Sequence, residues 1–138
     1  MPLQIQHRER EGIEILELHG RYTFGEEDIL CRDEFQSLLD GGHYKIVVNC
    51  KDLDAIDSVG VGTLIWMEET LANLGGNLAL TGLRLDHMEV LVTLKLETFF
   101  AVYETETEAV NSFFSERRVA RVDVLSLVRR FKKEDQEK

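Results

Sequence analysis

The stretch Ile56-Asp57-Ser58-Val59-Gly60-Val61-Gly62-Thr63-Leu64-Ile65-Trp66-Met67-Glu68-Glu69-Thr70-Leu71-Ala72-Asn73-Leu74-Gly75-Gly76-Asn77 decides the fold. Within it, Leu64, Met67, Leu71 and Leu74 recur at three- and four-residue steps, which predicts a helix over 59–74 with one apolar face, and Gly75-Gly76 stops it. Asp57 and Ser58 stand just before the first turn. A short oxygen side chain there accepts hydrogen bonds from backbone N–H groups that have no partner inside the helix. On one side lies Tyr44-Lys-Ile-Val-Val-Asn49, β-branched and apolar as a covered central strand must be. On the other lies Asn-Leu-Ala-Leu-Thr at 77–81, a second short strand. Strands joined through a helix pair in parallel, with the helix as the crossover.

The same alternation extends outward. Residues 4–7 and 12–19 read as two strands about a turn at Arg10-Glu11-Gly12. Residues 26–39 carry helix spacing, with Cys31, Phe35 and Leu38 on one face and Gly41-Gly42 as the stop. Residues 85–96 read as a helix through Met88, Leu91 and Val92, and 99–103 as a strand. A closing helix over 105–115 turns Ala109, Val110 and Phe113 inward. The fold class is therefore α/β: one domain over residues 1–115, a mixed and mostly parallel sheet with helices packed on it. Residues 116–138 form a C-terminal helical extension, basic and amphipathic, with Val119, Val122, Leu125 and Val128 as its stripe. That stripe either packs back on the domain or meets a partner, self-association included.

With 138 residues, 43% hydrophobic and 30% charged, the chain can bury a core. No apolar run is long enough for membrane insertion, and the first residues hold no secretory pattern. Cys31 and Cys50 fit neither a metal spacing nor a disulfide framework, and Cys31 reads as a core filler. A reduced, cytoplasmic location is the expectation. Net charge is −10 and unevenly placed: residues 116–138 hold 8 Lys/Arg against 5 Asp/Glu, leaving −13 on residues 1–115. Such a body repels phosphate backbones, so a nucleic-acid partner is not expected.

No catalytic constellation assembles from the sequence. Gly60-Val61-Gly62 lacks the third glycine of a dinucleotide fingerprint and the Lys-Ser/Thr pair of a P-loop. Ser58 as a nucleophile would need a histidine nearby, yet His7, His19, His43 and His87 fall in separate segments. Glu68-Glu69 and Glu26-Glu27-Asp28 read as solvated helix faces. No catalytic residue, metal or cofactor is expected. At 100° per residue, however, Ser58, Gly62, Trp66, Glu69 and Asn73 fall opposite the apolar stripe. A glycine on an exposed helix face costs about 1 kcal/mol against alanine. A tryptophan beside it is a residue type that anchors interfaces. The strip suggests a docking ledge, unless the C-terminal extension covers Trp66. A phosphate on Ser58 would place about −1.5 to −2 charges at its end, where the helix N-terminus favours an anion.

These residues resemble a known family. Ile46-Val47-Val48, then Ile56-Asp57-Ser58-Val59-Gly60-Val61-Gly62-Thr63-Leu64, then Gly75-Gly76-Asn77-Leu78-Ala79-Leu80, are similar to the STAS domains of bacterial anti-sigma factor antagonists. The likeness extends over about residues 3–115, through the strand and helix at 96–110. It implies that Ser58 is phosphorylated by an anti-sigma factor serine kinase and restored by a PP2C-type phosphatase. Unphosphorylated protein would bind the anti-sigma factor and free the sigma factor. Taken with the docking strip, the candidate partner contacts are Asp57, Ser58, Val59, Gly60, Gly62, Trp66 and Glu69, together with Thr23, which stands where the family commonly carries Asp. Asn49 and Leu94-Lys95 are further departures. A STAS subunit that regulates a transporter ATPase or a signalling assembly without phosphate is the alternative.

Overall fold

The computed structural model describes residues 2–23 and 25–137. Glu11 and Gly12 take φ values of 55° and 82°, a turn whose hand matches strand twist, and it folds β1 (Gln4–Arg10) antiparallel onto β2 (Ile13–Tyr22). The chain then alternates through α1 (Glu26–Asp40), β3 (Lys45–Ile56), α2 (Ser58–Asn73), β4 (Asn77–Thr81), α3 (Leu85–Thr93), β5 (Ala101–Tyr103), α4 (Glu106–Asn111) and α5 (Val124–Glu137). The sheet order is β1-β2-β3-β4-β5, and every pair after the first is parallel. Gly76 explains half of the double glycine. A Cβ there would lie 2.0 Å from the Tyr44 carbonyl oxygen, so only glycine lets β4 start beside β3.

Alternate residues of each strand serve two cores. Leu16, Leu18, Val48 and Leu80 face α1, α2 and α3, packing with Phe35, Met67, Leu71 and Leu91. Ile13, Ile15, Val47, Ala79 and Tyr103 face the other way, under Ala109 and Val110 of α4.

Several boundaries differ from the sequence reading: β1 and β2 run on to Arg10 and Tyr22, three residues past the expected ends at 7 and 19, and α2 starts at Ser58. β3 runs on past Asn49 to Ile56, because its residues from Asp52 to Ile56 go on pairing with His19 to Tyr22 of β2 even where the side chains are polar. Both α3 and α4 stop early: Lys95 takes φ 60° just beyond α3, and after Asn111 the chain tightens into three-residue turns, with Phe113 N–H bonded to Val110 O. β5 starts only at Ala101, since Phe99 turns back to bond the Leu96 carbonyl. Leu74, assigned to the core stripe of α2, is the C-cap and is 47% exposed.

The extension packs on its own domain. Residues 118–123 carry no helix, and the Val122 N–H donates to Val102 O at 2.7 Å along the outer edge of β5. The helix begins only at Val124, one residue after Asp123, whose carboxylate accepts from Ser126 N–H at 3.1 Å. Val124 and Val128 are buried in the larger core, and α5 packs on α3. Of the expected Val119-Val122-Leu125-Val128 stripe, Val128 is in the core, and Val122 and Val119 pack against the two cores from the non-helical lead-in. Val124 is buried, while Leu125 is only half-buried.

Candidate functional site

The chain leaves β3 at Ile56 and enters α2 at Ser58 with one residue between. That residue, Asp57, is in extended conformation, and its N–H donates to Tyr22 O at 3.2 Å, fixing the helix start to the end of β2. Its Oδ1 accepts from the Val59 and Gly60 N–H groups at 3.0 and 3.1 Å, an N-cap that supplies two of the helix's unpaired donors. Ser58 follows as the first helical residue and is exposed. The helix N-terminus expected to favour an anion thus has two of its donors already capped. A carboxylate already occupies the Val59 and Gly60 donors, so a phosphate on Ser58 would sit beside Asp57 rather than replace it.

The two glycines differ. Gly60 is buried: a Cβ there would lie 2.7 Å from Ile56 Cγ1 and 3.0 Å from the Tyr22 ring. It was grouped with the partner contacts, but packing within the chain accounts for it and removes it from the surface. Gly62 is exposed, and a Cβ there would meet nothing within 4 Å. Nothing in the domain's own packing requires glycine at 62. Glu69 and Asn73 are exposed on the same face, Val59 is half-buried beside it, and Thr23 is half-buried at the end of β2.

Trp66 is not the bare aromatic that the helix wheel suggested, and the extension is not what covers it. It is half-buried by α1: its ring meets Phe35 edge-on, centroids 5.2 Å apart, and the Arg32 guanidinium lies 5.0 Å from its centroid. Arg32 in turn donates to Asp28 Oδ2 at 2.9 Å. Asp28 Oδ1 accepts from the Tyr22 hydroxyl at 2.8 Å and from the buried Thr63 hydroxyl. Burial pushes the Asp28 carboxyl up, but the bonds from Thr63, Arg32 and Tyr22 outweigh it and hold it below its ordinary value. Asp28 read as part of a solvated acidic face; it is instead the node that fastens α1 to α2 and to the end of β2. The i,i+4 spacing of Asp28 and Arg32 was the one legible hint.

The remaining candidates lie elsewhere. Burial pushes the Cys31 thiol up to about 11 and the Cys50 thiol up to about 12, so both are inert at neutral pH. His7 and His43 both meet the buried Glu14 carboxylate, His19 lies between Glu17 and Asp52, and His87 Nδ1 accepts the Arg84 N–H. Among the described residues, these contacts of the four histidines are with groups other than Ser58. No described helix is long and apolar enough to cross a membrane.

The family model of the STAS domain matches residues 4–109. No curated protein is similar enough in sequence to count as a relative. Solved structures share the architecture at low identity. TM1081 of Thermotoga maritima has a TM-score of 0.73 at 23% identity, over 78% of this chain and 92% of that one. An anti-sigma factor antagonist from Mycobacterium paratuberculosis has a TM-score of 0.72 at 14% identity, over 80% and 92%. The anti-sigma factor antagonist SpoIIAA in its unphosphorylated form follows at 0.63 and 19%, over 82% and 98%. The phosphorylated form of SpoIIAA, the Bacillus cell fate determinant, follows at 0.62 and 20%, over 80% and 98%. With its family match spanning the sheet, α2 and most of α4, this chain belongs to the STAS-domain family.

Proposed function

We propose that this protein is an anti-sigma factor antagonist that binds an anti-sigma factor serine kinase while Ser58 is unmodified and lets go when Ser58 is phosphorylated. A PP2C-type phosphatase resets the switch, and the work is done by contact rather than by catalysis. The observation that carries the reading is the exposed Ser58 hydroxyl at the first turn of α2, one turn before an exposed glycine with open space above it. A partner's backbone can approach most closely where no Cβ stands. The ledge through Gly62, Glu69 and Asn73 therefore suits a partner helix or strand laid along α2.

A phosphate adds about −1.5 to −2 charges. With Asp57 next to it, that charge finds no vacant donors on Val59 or Gly60. Under a partner it would be buried and unpaired, at a cost of several kcal/mol, where each 1.4 kcal/mol is tenfold in affinity. One modification is thus enough to release the complex.

The test has two arms. Incubation with the cognate kinase and ATP, followed by mass analysis, should label the wild type once and leave Ser58→Ala unlabelled. Ser58→Asp should bind the kinase about tenfold or more weakly than wild type. Labelling that persists in Ser58→Ala, or an unchanged affinity for Ser58→Asp, defeats the proposal. A native pull-down that returns transporter components instead of a soluble kinase selects the subunit reading.

A further inference from the structure

On the sheet face opposite α2, β2 and β3 bring together Glu17, His19 and Asp52. Each offers one ligand atom, and these atoms all lie within 4.8 Å of one another. The cluster follows from strand geometry. Glu17 and His19 are two apart on β2, so they share the face of Ile13 and Ile15. Across from them, Glu17 pairs with Asn49, and an unbroken register would set Lys51 opposite His19. A register shift intervenes: β3 carries one extra residue, and His19 pairs with Asp52. The bulge thus swaps a cation for a carboxylate at this point, and re-aiming a side chain is the use proteins make of bulges near working sites.

The imidazole is not settled by its neighbours. Its Nε2 lies 3.1 Å from Glu17 Oε1 and its Nδ1 3.6 Å from Asp52 Oδ2. Yet Nε2 is buried without a hydrogen-bond partner among the described residues, because the contact with Glu17 is off the N–H direction. Two donor atoms that sit close without pointing at each other are placed to point at a third body. Glu17 is braced for this, since Arg8 donates to its other oxygen, Oε2, at 3.0 Å and leaves Oε1 toward the histidine. Ligand bonds of about 2.0–2.2 Å to a divalent transition metal set neighbouring donors about 3 Å or somewhat more apart. A modest swing of the exposed Asp52 completes such a set.

The geometry points to a divalent transition-metal site made of one imidazole and two carboxylates, with zinc or a similar ion as occupant. Two carboxylates and a neutral imidazole offer two negative charges to a 2+ ion, part of which Arg8 already offsets at Glu17. Water would reach the remaining positions from the side of the exposed Asp52. The ion would clamp β2 to β3 without touching the Ser58 ledge, so this site stands or falls apart from the proposed switch.

The test uses the untagged full chain, stripped with a chelator and titrated with Zn2+ by calorimetry, with thermal unfolding in parallel. One Zn2+ per chain and a raised Tm are expected. His19→Gln and Asp52→Asn should each weaken binding about tenfold or more. His43→Gln, which touches the separate Glu14 cluster, should leave it unchanged. Asp52 is exposed, so its variant keeps the result readable if His19→Gln folds poorly. Absence of saturable binding overturns the assignment, and so does binding that survives Asp52→Asn or is lost in His43→Gln.

Discussion

Gly60 and Gly62 lie two residues apart on α2 and answer to different demands. At Gly60 the added methyl would overlap Ile56 and the Tyr22 ring. Overpacking costs about 1–3 kcal/mol, which exceeds the gain of at most about 1 kcal/mol from alanine's helix propensity. Gly60→Ala should therefore lower stability, read as a lower urea midpoint. At Gly62 only the propensity gain remains, so Gly62→Ala should stabilise the free protein by up to about 1 kcal/mol. The same methyl should weaken partner binding, because the ledge is where a partner comes close. A variant more stable yet poorer at binding separates surface function from folding; a Gly62→Ala protein that binds as well as wild type would remove Gly62 from the interface. The sequence told these residues apart only in part. Helix phase marked Gly62 as outward, but Gly60 lies in the first turn, where burial depends on Tyr22 arriving from another strand.

At the scale of elements, α1 and α2 are joined by the chain Tyr22–Asp28–Arg32–Trp66–Phe35 and by Thr63. Trp66→Ala removes the aromatic half of this joint and should cost about 2 kcal/mol, below the range for a fully buried tryptophan because the ring is half-buried. A second joint ties α4 to β1. Glu106 accepts from Arg8 at 2.8 Å, from Arg10 at 3.1 Å and from Asn49 at 3.2 Å, and these bonds, Arg8 first, push its carboxyl from 4.5 down to about 2. A carboxyl depressed by folding contributes stability that is fully present above about pH 4.5 and disappears as pH falls toward 2. Glu106→Gln should thus be less stable than wild type at neutral pH, and the two should converge in denaturation midpoint between pH 4.5 and 2. These joints explain what the sequence could reveal. Periodicity located the strands and helices, since it depends on neighbours along the chain. It missed Asp28 and Glu106 as partners, and it misjudged Trp66, because those contacts come from elements brought together by the sheet. It also stopped β3 at Asn49, where backbone pairing with β2 outlasts the apolar pattern.

The whole molecule is closed by residues that the family match does not include. The match ends at 109, yet the chain continues to cover the outer edge of β5 through Val122 and to fill the larger core with Val124 and Val128. Removing residues 116–138 withdraws those two valines, worth about 3 kcal/mol or more, and bares an edge strand that invites pairing with another copy. The truncated chain should unfold at lower urea and show higher-mass species by light scattering; an unchanged, monomeric protein would mean that the extension merely rests on the surface. The charge division gains a sense here too: a +3 segment seats against a body carrying −13. α5 packs on α3 at the β5 side of the sheet, while the ledge runs along α2. A fluorophore or surface tether attached to α5 would report on docking along α2 without standing in its path, so affinity could be measured on immobilised protein with the working ledge turned toward solution.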